Sequence, residues 1–326
     1  MNNIMLITDL DHKDLSQEQE VCDACGMILK TAICKNEDDL IREGKDAFGF
    51  LCSYSKVTRK VMEALPNLKI VVKYGIGIDA FDVEAATDNG IVISNVPDYC
   101  MEEVASQTMM FILNGLKQTL YFHHRMIDKI WPGEHTKHVW YRLSELTLGL
   151  VSYGRIARKV VEYAKPFFKE IVFYDPYVNE KEINGVKKLD SLEELFATCK
   201  VISIHTPLNK HTEWMIGSNE IEKANGAILV NTSRNNVVEP KAVEKGLDDG
   251  SLVFFAGDSF WPEPADFTDK WTCDFIKRDD VLITPHMAWA SIPGEKENRR
   301  KAAQSVGDLF IGKRPISVIN PKVLEN

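Results

Sequence analysis

Three features of the chain have residue types and spacings that could do chemistry. Between Leu148 and Ala157 the sequence reads LGLVSYGRIA, an apolar run entering Ser152-x-Gly154-x-x-Ala157 and then a helical stretch with Ile156, Val160, Ala164 and Phe167 on one face. In a dinucleotide-binding turn, the first small residue makes a tight bend. The second lets backbone approach a pyrophosphate, and the third lets helix pack on strand. Gly154 and Ala157 fill the second and third places, while Ser152 stands in the first. The second feature is Asp175, which closes the next apolar run, IVFY. It lies about 20 residues beyond the loop, where a carboxylate takes both ribose hydroxyls of NAD. Without a nucleotide, the same residues would make a plain strand–turn–helix, with Asp175 as a turn residue before Pro176.

The third feature is a set of charged residues, each following a predicted strand. Arg234 comes after ILVNTS, Glu263 follows the strand ending at Asp258, and His286 ends DVLITPH. In a doubly wound sheet the carboxyl ends of the strands face the ligand crevice, which would gather all three. Singly, each has a plain reading: a surface cation, a turn charge between Pro262 and Pro264, and a strand-end cap.

The elements that must position these residues alternate along the chain. Short apolar runs (IMLIT, KTAIC, FGFLCSY, KIVVKYG and GIVISN) occupy the first hundred residues. A second series (LTLGLVSYG, EIVFYD, KVISIHTP, GAILVNTS, SLVFFAGD and DVLITPH) follows. Continuous apolar runs of this length suit parallel strands buried on both faces. Helix signals lie between them, such as Asp190-Ser191 before Leu192, Leu195 and Phe196, and Pro240 opening a helix that ends near Gly250. The predicted class is α/β, with two doubly wound parallel-sheet domains. A long helix from Glu102, with Val104, Thr108, Phe111, Ile112 and Gly115 in one stripe, would cross between them. The tail after residue 288 is too small for a domain of its own and is assigned back to the first. The expected boundaries are 1–100 with 289–326 for one domain and 101–288 for the other.

A length of 326 residues suits about two domains. Hydrophobic residues at 44% and charged residues at 27% exclude disordered and fibrous classes. With 48 acidic against 39 basic residues the net charge is −9, which disfavours a non-specific nucleic-acid binder. No run approaches the roughly 18 apolar residues of a membrane helix, and MNNIMLITDL reads as a strand rather than a leader. Seven scattered cysteines read as reduced thiols of a cytoplasmic protein.

The stretches KYGIGID, NVPDY, TLGLVSYGRIA, YDPY, HTPLNKHT, LVNTSR, GDSFWPEP and ITPHMAWAS, in this order, resemble the D-isomer-specific 2-hydroxyacid dehydrogenases. The resemblance covers essentially the whole chain. It implies a Rossmann NAD-binding domain inserted into a discontinuous flavodoxin-like substrate domain. It also implies a small 2-oxo or 2-hydroxy acid as substrate, and a homodimer formed through the nucleotide-binding domain. Its catalytic arginine falls on Arg234, its glutamate on Glu263 and its acid/base histidine on His286. A guanidinium can bind a 2-oxo acid's carboxylate and polarise its carbonyl. An imidazole can protonate the alkoxide that hydride transfer leaves, and a carboxylate beside it orients the ring and supports its charged form. By the same resemblance, Gly75-Ile76-Gly77 receives the substrate carboxylate, and Arg155 and Ile156 belong to the pyrophosphate loop. Thr206, Pro207 and Thr212 lie beside the adenosine, and Thr232 and Asp258 contact the nicotinamide amide.

Three positions depart from the family pattern. Asn235 follows the arginine where glycine is common, and would keep a turn of positive φ. Ser106 stands where glutamate is frequent, and Ser152 replaces the first loop glycine. Tyr54, Tyr74, Tyr99, Trp261 and Trp289 are candidates for shaping the substrate pocket. Cys22-x-x-Cys25 reads as part of a packed helix rather than a redox or zinc pair. His123, His124, His135 and His138 are not read as metal ligands, because they surround a loop that in the family is an arm packing on the second subunit. No metal is expected. A cofactor-sensing corepressor-like interaction protein on the same fold is the competing reading, and a relative acting on an inorganic or phosphonate anion is a third.

Overall fold

Five of the apolar runs near the N-terminus become strands because each alternates with a helix that covers them. The computed structural model describes residues 3–9, 12–131 and 141–325. Along the chain these elements are β1 (Ile4–Ile7), α1 (Ser16–Cys25), β2 (Ile28–Thr31), α2 (Glu37–Glu43), β3 (Ala47–Cys52), α3 (Arg59–Glu63), β4 (Ile70–Lys73), α4 (Val83–Asp88) and β5 (Val92–Ser94). The sheet order is β2-β1-β3-β4-β5, all parallel. That is the flavodoxin-like order, in which strand order reverses between β1 and β3. The second strand was expected over KTAIC but runs two residues earlier. As an edge strand with little burial, its own apolar residues do not dictate its register.

The middle of the chain opens with α5 (Met101–Lys117) and α6 (Thr119–Ile127), which meet at Gln118 with φ 50°. Then come β6 (Thr147–Val151), α7 (Arg155–Ala164), β7 (Glu170–Tyr174), β8 (Glu182–Ile183), β9 (Val186–Lys188), α8 (Leu192–Thr198) and β10 (Val201–Ile204). The series closes with α9 (Ser218–Ile221), β11 (Ala227–Asn231), α10 (Pro240–Asp249), β12 (Leu252–Gly257), α11 (Lys270–Ile276) and β13 (Val281–Ile283). The eight-stranded order is β13-β12-β11-β10-β6-β7-β9-β8, parallel except for β8. From β9 to β12 it reads as the doubly wound dinucleotide-binding order, with its switch point between β6 and β10. Each face of this sheet carries its own core, one centred on Leu195, Phe196 and Phe255, the other on Phe111, Val160 and Phe173.

The last helix, α12 (Ile292–Phe310), packs against β3, β4 and α1. The chain therefore forms two compact units, Met1–Tyr99 with Ser291–Asn326, and Cys100–Ala290. Helix α5, expected to cross from one to the other, lies wholly in the second. His135 and His138 fall outside the described residues.

Candidate active site

At the end of β6 the chain turns through Ser152, whose φ is +72°. This is the left-handed region that favours glycine, so the serine occupies the glycine's place without abolishing its turn. Its Oγ lies 2.9 Å from Oγ1 of buried Thr206, which follows β10, so the two hydroxyls tie the switch point together. Gly154 is the N-cap of α7, and a side chain there would meet nothing within 4 Å. Glycine is thus not demanded by the protein's own packing, and the space is open to a ligand. No side chain caps α7 and its first turn holds no acidic residue, which leaves its amides and positive dipole end available to an anion. Arg155 is exposed in that first turn, Ile156 is half-buried and Ala157 is fully buried against the sheet. Asp175 follows β7, and its Oδ2 accepts from the Tyr153 amide at 2.9 Å while Oδ1 accepts from Tyr177 N at 2.9 Å. The bond to Tyr177 N is the turn role the sequence left open to Asp175, whereas the bond to Tyr153, which braces the turn after β6, was not suggested there. Open space at Gly154, the uncapped helix end and Asp175 at the end of β7 fit a dinucleotide.

Thr212 is differently engaged. Its hydroxyl donates to the Pro207 carbonyl (2.6 Å) and accepts from Asn209 N (2.8 Å), closing the exposed loop after β10. His205, just after β10, is desolvated, which lowers its pKa to about 3 and keeps it neutral.

The carboxyl ends of β11, β12 and β13 carry the other predicted residues. Asn231 ends β11, donates through Nδ2 to the Arg234 carbonyl at 2.9 Å and accepts from the Ser233 amide and hydroxyl. That network shapes the turn holding Arg234. Thr232 Oγ1 lies 2.9 Å from buried Thr108 on α5. Asn235 does not adopt the positive φ expected of it. It begins a single 3₁₀ turn, 235–237, and its backbone needs no glycine.

Asp258 follows β12 and is 5% exposed. Its carboxylate accepts from Thr284 Oγ1 (2.5 Å), Met287 N (2.9 Å) and Ala288 N (2.7 Å). Burial pushes its carboxyl above the usual range, and those three hydrogen bonds pull it back. These contacts bracket His286, whose φ is +56° and whose amide bonds the Thr284 carbonyl at 3.0 Å. The Glu263 carboxylate meets Nδ1 of His286. This pairing directs Nε2 away from the glutamate, and both side chains keep access to solvent. Sequence reasoning found the pair but missed Asn231, Thr284 and the bracing role of Asp258. Asn231 and Thr284 sit in the same strand-end stretches, LVNTSR and ITPH.

In the first unit, Gly75 has φ +130°, which a side chain would strain. The loop's carbonyls are turned inward: Gly75 O accepts from Val96 N (3.0 Å) and Ile76 O from Asn95 Nδ2 (2.7 Å). Gly77 follows, half-buried. Two expected pocket aromatics are instead structural. Tyr74 is buried and donates to Glu18 at 2.9 Å, while Trp261 packs within an aromatic cluster. Burial, reinforced by Glu18, holds the Tyr74 phenol well above its ordinary pKa. Among the described residues, no group of three or more His, Cys, Asp or Glu side chains is placed to hold a metal ion, and no helix is long and apolar enough to cross a membrane.

Residues 109–288 match the family model described as D-isomer specific 2-hydroxyacid dehydrogenase, NAD binding domain. The chain is 31% identical over 324 residues to a D-3-phosphoglycerate dehydrogenase of Methanocaldococcus jannaschii. That match covers 97% of this chain but only 59% of that longer protein. It is 32% identical over 284 residues to a glyoxylate reductase of Korarchaeum cryptofilum, covering 82% of this chain and 81% of that one. Among solved structures, a glyoxylate reductase from Paecilomyes thermophila superposes with a TM-score of 0.87 at 22% identity, covering 98% of this chain and 99% of that one. A D-lactate dehydrogenase from Aquifex aeolicus, complexed with NAD and lactic acid, gives 0.85 at 24%, covering 97% and 99%. At these identities the solved structures speak for the fold.

Proposed function

Since the chain belongs to the D-isomer-specific 2-hydroxyacid dehydrogenase family, we propose that it is an NAD-dependent oxidoreductase interconverting a small D-2-hydroxy acid and its 2-oxo acid. The observation that carries this reading is the Glu263–His286 pair, set at strand ends neighbouring the Arg234 turn in a sheet of dinucleotide-binding order.

Bound NADH supplies the hydride. The protein must hold the acid, polarise its carbonyl and deliver a proton to the oxygen that becomes negative. Arg234 offers a planar fork that can take carboxylate and carbonyl oxygens together, which a point charge cannot. His286 delivers the proton from Nε2, because Nδ1 is engaged by Glu263. In the oxidative direction the same nitrogen, unprotonated, takes the hydroxyl proton. In this proposal the turn Gly75-Ile76-Gly77 receives the carboxylate through backbone amides. Ser152, Gly154, Arg155, Ile156, Asp175, Thr206, Pro207, Thr212, Thr232 and Asp258 form or brace the cofactor side. The first unit is accordingly the substrate domain and the second the NAD domain.

A cytoplasmic homodimer is part of the same proposal. It is supported by seven free thiols and by apolar surface on the second unit. Helix α6 has no buried residue, Trp131 is 82% exposed, and Met109, Met110, Leu113, Tyr163 and Phe167 line a groove of about 630 Å³.

NADH oxidation against glyoxylate, hydroxypyruvate, pyruvate, phenylpyruvate and 3-phosphohydroxypyruvate tests the activity. Turnover of at least one is expected. NADH binding without turnover of any 2-oxo acid would favour a cofactor-sensing interaction protein instead.

A further inference from the structure

One residue beyond Arg234, the buried Asn235 makes two bonds that run in opposite directions. Its Nδ2 donates to the Phe260 carbonyl, and its own carbonyl accepts from Trp261 Nε1 at 2.8 Å. The turn after β11 is thereby fastened to the loop after β12. Neither partner can drift to follow it. Phe260 and Trp261 are packed with Phe255, Trp271 and Phe275, ring centroids 5.0–6.5 Å apart. At the other end of the turn, Asn231 holds the Arg234 carbonyl. Arg234 is thus fixed on both sides, once to its own strand and once to the neighbouring loop. Two residues past Trp261 stands Glu263, which orients His286, and Asp258 in the same loop braces the chain on either side of that histidine.

We propose that Asn235 is a positioning residue, whose two bonds, one from its side-chain amide and one to its backbone carbonyl, hold the Arg234 turn in register with the Glu263–His286 pair. The inference rests on the assignment of those three residues made above. A reacting carbonyl must lie against the guanidinium and within reach of Nε2 at the same moment. Displacements of about 1 Å at such sites can cost on the order of 10²-fold in rate. The Asn235 bond joins the turn that carries Arg234 to the loop that carries Glu263, the partner of His286. A purely structural role would stabilise the fold without favouring one step.

Asn235→Asp keeps the shape but exchanges the donor for an acceptor facing the Phe260 carbonyl, and Asn235→Ala removes the bond. Trp261→Phe removes the opposite bond and keeps the ring packing. Each is made in the native chain and in Arg234→Lys. The readouts are kcat and KM for the best 2-oxo acid, the NADH dissociation constant and the thermal midpoint. Both Asn235 variants are expected to lose about tenfold in kcat/KM, with NADH affinity changed less than about twofold. In the Arg234→Lys background their further loss should be under about twofold, since residues acting as a unit are non-additive. Native kcat/KM in both variants, or the same fold loss with and without Arg234, overturns the proposal. So does a loss matched by NADH affinity. Should the Asn235 variants not fold, Trp261→Phe carries the test, with a loss confined to kcat/KM expected and unchanged kcat/KM overturning it. If Arg234→Lys and His286→Ala are both fully active, the site assignment itself fails. If they are impaired and the Asn235 variants are not, only the present inference fails.

Discussion

Singly, His286 and Glu263 have plain readings as a strand-end cap and a turn charge; they were legible only together with Arg234, each after an apolar run, and the structure brings the side chains of the pair together. His286→Ala should lose on the order of 10²–10⁴-fold in kcat with NADH binding intact, and stopped-flow binding beside steady-state turnover separates the two. Asp175 was legible by spacing alone, but its bond to the Tyr153 amide was not, since backbone geometry leaves no trace in residue type. Asp175→Ala is therefore expected to do two things. It should erode a preference for NAD(H) over NADP(H) of at least about tenfold, ~1.4 kcal/mol. It should also cost roughly 1–3 kcal/mol of stability, because the loop amide loses a charged acceptor. Undiminished cofactor preference in that variant would remove Asp175 from the ribose. Asn231 escaped notice because asparagines near strand ends are ordinary turn residues, and Asn235 was read only as a stand-in for glycine; the partners of both side chains are what mark them.

At the level of elements, runs apolar on successive positions became fully buried strands, as in β10 and β11, where a single polar residue (Ser203 and Asn231) is buried with the rest. Amphipathic pieces were read less well. The stripe expected on α7 was Ile156, Val160, Ala164 and Phe167. The buried set is Ala157, Val160, Val161 and Ala164, with Phe167 39% exposed. The face is rotated by about one residue because Ala157, not Ile156, makes the close approach to the sheet. The β8–β9 hairpin was missed although Asn184-Gly185, with φ of 52° and 79°, is a strong two-residue turn signal. Ser152 sets a test for the β6–α7 turn. Ser152→Ala and Ser152→Gly both delete the bond to Thr206, so their difference isolates the backbone. The glycine variant should be the more stable by about 1–2 kcal/mol in urea unfolding, and equal midpoints would mean the left-handed φ costs nothing.

For the molecule as a whole, the division into two series of strands was visible in the alternation of apolar runs. The return of the tail to the first unit rested on its being too short to stand alone. Stability of the whole should carry a mark of His205. Its pKa is lowered from 6.5 to about 3 by burial. As pH falls below 6.5 the unfolded chain takes a proton that the folded chain refuses. Stability present above pH 6.5 is therefore lost progressively down to about pH 3. Between pH 7 and 5 the native protein should lose up to about 2 kcal/mol more than His205→Asn, measured by urea unfolding at each pH. Parallel losses in the two proteins would show that His205 titrates normally.

Helix α12 gives the folded chain a history. Its Val306 is fully buried against Gly49, and its Arg299 forms the ion pair with Glu18, which has no exposed surface. Asn320, further on, accepts the Ile93 amide at 2.8 Å. On a ribosome, all of these arrive after the intervening Cys100–Ala290 segment has been made. At ~5–20 residues per second that is about 10–40 s during which the first ninety-nine residues lack a helix that closes their core. The second unit has all its strands and helices in hand before the first one does. The nascent N-terminal sheet, with the Glu18 carboxylate still lacking its arginine and the surface under α12 bare, is where a chaperone or a protease would find this protein during its synthesis.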